Sequence, residues 1–203
     1  MFVHRSPLPR FLAANLAVLL FALQPSLAAP AKDKPKPAAA TTPAKKDTAS
    51  APTAKAGTGQ AIKLGQYDDW IAYATPGTKK ICYALSVPKE RLPKNLTRDP
   101  GYLFVSYRPD EKVRGEIAVV MGFPVKEDAP AQAVLGANTF ELAGKDTSLF
   151  VHNAAEEGTM LAAMKRGGSL VVKAASRRGN ATTDKFSLTG IVQALDQAEK
   201  ACK

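Results

Sequence analysis

Two cysteines, two histidines and one tryptophan serve 203 residues, and each scarcity closes off a class of chemistry. His4 falls in an N-terminal stretch that reads as removable, which leaves His152 alone. One histidine and two cysteines are too few for a histidine metal cluster or a structural zinc site. No GxSxG, phosphate-binding loop or GxGxxG is present, so the common nucleophile and nucleotide signatures are missing. Carboxylates remain. Asp68-Asp69 and Glu156-Glu157 are adjacent, and neighbours on a strand point to opposite faces. A carboxylate hydrolase would need two of Asp68, Asp99, Glu116 and Glu141 within about 10 Å in one cleft. His152, beside Asn153 at a helix start, reads as a surface or capping residue rather than a general base.

Charge of one sign is scarcer than the total suggests. The formal net charge of +10 has the look of a polyanion binder. By region, residues 1–28 hold 2 basic and no acidic residues, 29–60 hold 6 and 2, and 61–203 hold 20 and 16. An excess of four over the last region is mild, and no nucleic-acid partner is expected from it.

Long apolar runs are also missing. The longest, Phe11 to Leu23, falls short of the roughly 20 residues a membrane span needs. With Arg5 and Arg10 before it and the small pair Ser26 and Ala28 after it, it reads as a secretory signal cleaved after Ala28. No cysteine sits there to carry a lipid and no twin arginine precedes the run, so a soluble periplasmic or secreted product is expected, with no transmembrane segment after cleavage. Residues 29–60 are almost entirely Ala, Pro, Lys, Thr and Ser; they read as a disordered tether, either a plain spacer or a lysine-bearing contact to an anionic envelope polymer. One globular domain, 61–203, remains.

Within it, DWIAYAT (Asp69 to Thr75) and KICYALSV (Lys80 to Val87) predict a hairpin across Pro76 to Lys79. In the second run Ile81, Tyr83, Leu85 and Val87 alternate with Cys82, Ala84 and Ser86, which puts Cys82 on the small-residue face. Trp70 reads as core or core edge. Residues 88–101, broken by prolines, read as a long loop. Lys89, Arg91, Lys94 and Arg98 there, followed by Arg108 and Arg114, form the candidate contact surface, against the alternative of a solvated loop without a partner. YLFVSY (Tyr102 to Tyr107) and EIAVVM (Glu116 to Met121) predict central strands, and Ala133 to Leu135, Thr139 to Leu142 and Ser148 to Val151 predict shorter ones. Asn153 and Glu156 have capping-box spacing ahead of a helix over Ala154 to Arg166 that Gly167 closes, with Met160, Leu161 and Met164 on one side. A strand hairpin around Arg177 to Asn180 follows, then a closing helix with Ile191, Leu195, Ala198 and Cys202 on one stripe.

Two cysteines in an exported chain are most often paired, so a Cys82 to Cys202 bond is expected, the alternatives being a buried thiol or a bond between chains. The fold class is mainly β: a sandwich-like domain of seven or eight short strands with two helices, the C-terminal one tied to the first hairpin, or else α+β.

From Asp69 to Lys203 the chain resembles the invasion-associated locus B family of exported bacterial proteins. The resemblance rests on Trp70 to Cys82 with ICYAL, on RDPGYLFVSYRP (Arg98 to Pro109) with GEIAVVMGFP (Gly115 to Pro124), on NAAEEGTMLAAMKRGGSLVVKAAS (Asn153 to Ser176), and on FSLTGIVQAL (Phe186 to Leu195) with the final Ala-Cys. Where many members carry a further cysteine this chain has Ala74. The resemblance implies an exported, non-enzymatic envelope protein, tied in some pathogens to host-cell entry; an envelope or host protein is the expected partner, and the residue counts lead us to expect neither cofactor nor metal.

Overall fold

Most strands form where apolar residues alternate with smaller or polar ones, because one face of the strand turns to a packed interior and the other outward. The computed structural model describes residues 60–203; the predicted signal, and the tether up to residue 59, lie outside the described residues. In order come β1 (Ile62–Tyr67), β2 (Trp70–Ala74), β3 (Cys82–Ser86), β4 (Glu90–Leu92), β5 (Tyr102–Arg108), β6 (Val113–Val120), β7 (Ala131–Leu135), β8 (Asn138–Lys145) and β9 (Ser148–Val151). Then follow α1 (Glu157–Arg166), β10 (Ser169–Ala175), β11 (Ala181–Ser187) and α2 (Ile191–Ala201). The mainly β class, the two helices and the tie to the C-terminal helix agree with the sequence reading. The strands among the described residues, however, number eleven and form one antiparallel sheet, ordered β1-β2-β3-β5-β6-β9-β8-β7-β10-β11-β4.

The sheet is rolled. β3 lies near one end of that order and β4 at the other, yet only Val87, Pro88 and Lys89 separate them, a reach of little more than about 10 Å. The two ends of the order are therefore brought together. Trp70 Nε1 donates across the junction to the Ser187 carbonyl at 3.0 Å, and Lys89 N to the Lys185 carbonyl at 2.7 Å.

Both helices pack on one face. The interior cluster joins Trp70, Ala72, Cys82 and Ala84 with Leu103, Val105, Ile117 and Val119, with Met160 and Met164 of α1, and with Ile191, Ala194, Leu195 and Ala198 of α2. Asn153 caps the entry to α1, its side chain accepting from Ala155 N at 3.1 Å. The expected reciprocal glutamate is not used; a 3-10 turn, Ala154–Glu156, intervenes, and Glu157 instead accepts from the strand N–H of Ile117 at 2.8 Å. That N–H is open because β6 pairs with β9 only from Ala118 onward. Gly190, at φ +89°, starts α2 where an added Cβ would collide with the Tyr67 carbonyl, so the β1–β2 turn sits directly on the helix start.

Two strands escaped the sequence reading. β1 carries Lys63, Gly65 and Gln66 and lacks an apolar alternation, and β4 is a three-residue piece inside the stretch taken as loop. Both gain their strand character from a partner, β2 and β11, and not from local propensity. The cysteines are bonded as expected, Cys82 to Cys202 at 2.04 Å, across 120 positions of sequence.

Candidate binding surface

The six basic residues of the predicted contact surface do not form one patch. Arg91, on β4, and Arg98, in the connection that follows, turn inward onto Asp184 of β11, whose side chain has no solvent exposure. Arg91 Nε donates to Asp184 Oδ2 and Arg98 Nη1 to Oδ1, each at 3.1 Å. The remaining guanidinium nitrogens of Arg91 donate to the carbonyls of Asp99 and Met121, both at 2.7 Å, and Arg98 Nη2 reaches the Pro93 carbonyl at 3.4 Å. Burial pushes the Asp184 carboxyl up, and the two guanidinium groups oppose that shift. A charge buried this deeply persists only when paired and hydrogen-bonded on both oxygens, and this one is.

The consequence is a supported loop. Residues 93–101 link β4 to β5 without secondary structure of their own, and the carbonyl contacts of Arg91 to Asp99 and of Arg98 to Pro93, with Asp184 behind them, hold both ends. Gly122 completes the seat: its φ is +68°, an added Cβ would collide with the Asp99 carbonyl, and Asp99 N donates to the Gly122 carbonyl at 3.1 Å. Lys94, Asn95 and Thr97 point outward from this loop and are exposed.

The other candidates lie apart. Lys89 pairs with Asp69, whose carboxyl is held below the usual range by Lys89 first and by the Ser187 hydroxyl second. Arg108 grips Glu116 with two nitrogens at 2.8 and 3.0 Å and Glu111 with a third at 2.7 Å, and these carboxylates raise its affinity for its proton. Arg114 is exposed. Only Lys94 and Arg114, of the six, have no carboxylate partner among the described residues.

Nor do the carboxylates assemble into a dyad. Asp68 occupies the β1–β2 turn at φ 48°, Asp99 the supported loop, Glu116 the Arg108 pair and Glu141 the exposed side of β8. His152 is exposed, and its backbone N–H pairs with the Glu141 carbonyl at 3.0 Å. A shallow cleft of about 390 Å³ opens where the β7–β8 turn meets the end of α1; its one ionisable side chain is Arg166, beside Asn138 and Ser169. Among the described residues no group of three His, Cys, Asp or Glu side chains could hold a metal ion, and no helix is long and apolar enough to cross a membrane.

The residue that organises this surface, Asp184, was missed. The flag was legible: Thr182, Asp184 and Phe186 share a face, which sets a carboxylate at an apolar position. No protein-family model, no curated protein and no solved structure matches this chain.

Proposed function

We infer that this chain is an exported, non-enzymatic binding protein of the bacterial cell envelope, as its resemblance to the invasion-associated locus B family implies. Its contact element is the loop of residues 93–101. One observation carries the reading: a buried carboxylate and two inward arginines are spent on fixing a loop that has no element of its own to rigidify it, while Lys94, Asn95 and Thr97 are left exposed at its surface. A loop held in one conformation loses little entropy when it binds, which is the general advantage of a preorganised contact surface. Arg91 and Arg98 are then positioning residues, and the contact is made by their neighbours.

The alternative, a polyanion binder that uses Lys89, Arg91, Lys94 and Arg98 together with the tether lysines, has less to draw on within the domain. Three of those four cations already face carboxylates.

The deciding experiment is capture from envelope extract by the full-length protein as the cell processes it, at low and high salt, beside the triple variant Lys94→Ala, Asn95→Ala, Thr97→Ala. The expected result is a protein partner retained at high salt and lost with the triple variant. Recovery of anionic polymer alone, and only at low salt, would overturn this reading in favour of the polyanion one.

A further inference from the structure

Three separate pieces of chain meet at the C-terminal end of α2. Ile62, at the start of β1, stands opposite Ala74, and Ala74 stands opposite Cys82. Cys82 is bonded to Cys202 just past the helix, and Lys80 Nζ donates to the Ala201 carbonyl at 3.3 Å. The start of β1, the β2–β3 connection and the end of α2 thus form one corner of the domain. Lys63, Lys79, Lys80, Lys200 and Lys203 are carried on these pieces, and all are exposed. The first four have no carboxylate partner among the described residues, and Lys203 pairs with Glu199 at 3.4 Å. Asp196, one turn back on α2, is the other carboxylate of this end of the helix. In the neighbouring β5–β6 connection Arg108, Lys112 and Arg114 are balanced by Asp110, Glu111 and Glu116, so the surplus stays in the corner.

Two further observations fall on the same corner. Ile62 is 57% exposed, the most open of the large apolar side chains among the described residues. Residues 29–60, with six lysines against two aspartates, lead into the domain here: Ala61 packs beside Ile81 on the cluster of Tyr83, Leu85 and Tyr102.

We propose that this corner, together with the lysines of residues 29–60, rests on an anionic phospholipid bilayer, with Ile62 entering the headgroup layer. Magnitudes favour a joint contact. Each Lys or Arg held near an anionic leaflet strengthens binding about fivefold. The domain's surplus of three charges then gives on the order of 100-fold, too little to hold a protein by itself. The surplus of four in residues 29–60 multiplies that by several hundred-fold. Lysines are point charges on flexible stems, suited to a field of phosphates and not to bidentate recognition of one group. A hydrated anionic polymer would use the same charges but not an exposed isoleucine among them, whereas a bilayer takes up an apolar side chain at headgroup level.

The orientation that follows leaves the loop of residues 93–101 free. It enters β5 at Tyr102, whereas Tyr107, toward the strand's other end, lies opposite Cys82, so the loop stands about 20 Å from the corner. The inference holds whether or not that loop binds a partner.

The test is flotation of the full-length protein, as the cell processes it, with vesicles of phosphatidylcholine mixed with phosphatidylglycerol, beside vesicles of phosphatidylcholine alone. Binding to the mixed vesicles only, weakening as salt is added, is expected. Lys79→Gln with Lys200→Gln should lower the affinity about 25-fold, and Ile62→Ser should lower it while leaving the salt dependence unchanged. Lys173→Gln with Lys185→Gln, which removes equal charge from exposed positions of β10 and β11, should leave binding intact, as should the triple variant of the loop. Failure to float with the mixed vesicles at low salt overturns the proposal. So does an equal loss in the β10–β11 control, which would reduce the effect to net charge, or loss in the loop variant, which would move the contact to the loop. Binding to dextran sulfate without binding to vesicles overturns it in favour of a polymer.

Discussion

The two faces of the β2-β3-β5 sheet come from one alternating sequence and are used in opposite ways. On one face Ala72, Cys82 and Ala84 share the buried cluster with α2; on the other Tyr73, Tyr83 and Leu85 pack with Tyr102, Phe104 and Val120 and meet no helix. A helix axis rides about 10 Å or less from what it packs against, and that approach needs short side chains beneath it. The volume is then supplied from above, by Ile191 and Leu195. Side-chain size along a strand therefore does not identify the interior when a helix covers one face. Trp70 is the exception that locates the edge of the helix: it sits on the covered face, fully buried, beside the rolled junction with Ser187.

Breaking the clamp between helix and small-residue face should have the largest effect. Cys82 leaves that face to bond Cys202, just past the last turn of α2, and closes a loop of 120 positions. On the chain-entropy model the bond stabilises the fold by about 5 kcal/mol at 25 °C. Cys82→Ser with Cys202→Ser should accordingly lower the denaturant midpoint by most of a domain's margin, with chemical reduction of the natural protein matching it. An unchanged midpoint would mean that the reduced helix keeps its seat unaided.

Next in size is a pair of substitutions that set the faces against each other. Ala84→Leu adds three carbons under α2, where side chains are fully buried, and should cost about 1 to 3 kcal/mol through overpacking. Phe104→Ser removes a larger group from the open face and should cost about 1 kcal/mol, because part of that ring already touches water. Urea unfolding of the two side by side checks the ranking. A larger loss for Phe104→Ser would show that the outer face, and not the helix face, carries the domain's margin.

How much of this was legible follows from the same contrast. The hairpin, the central strands and both helices were carried by local signals, periodicity, Asn153 and turn residues such as Gly179, and the cysteine pair by there being two cysteines to join. The strand count and the single rolled sheet were not, because β1 and β4 are strands only by virtue of distant partners, and closure depends on where Val87 to Lys89 lead the chain. The placement of this basic stretch was half legible. Its place in residues 88–101 needs only prolines and charge, but that Arg91 and Arg98 face inward depends on Asp184, 93 and 86 positions away. No local pattern encodes that distance; only the carboxylate between Thr182 and Phe186 hinted that something basic had to meet it.

The finest division between the faces is readable by titration, since each holds a buried tyrosine whose phenol is pushed up. Tyr83 on the open face and Tyr107 on the helix face are both pushed up to about 12, from an ordinary value of 10.0, chiefly by burial. A neutral phenol is kept in the fold until about pH 12, whereas the unfolded chain gives up its proton near 10, so the contribution to stability is whole below pH 10 and declines as pH climbs toward 12. Tyr83→Phe and Tyr107→Phe should each flatten that decline in an unfolding series across the window. Salt then separates the two faces: Tyr107 is raised further by Glu199 and Asp196 of α2, Tyr83 by the neighbouring Tyr73. Carboxylates near the surface are screened by added salt, and a packed pair of rings is screened much less. Raising the ionic strength should therefore lower the Tyr107 value more than the Tyr83 value in a phenolate absorbance titration. Equal shifts for both would place Glu199 and Asp196 too far from the ring to matter, and would leave burial as the single cause on either face.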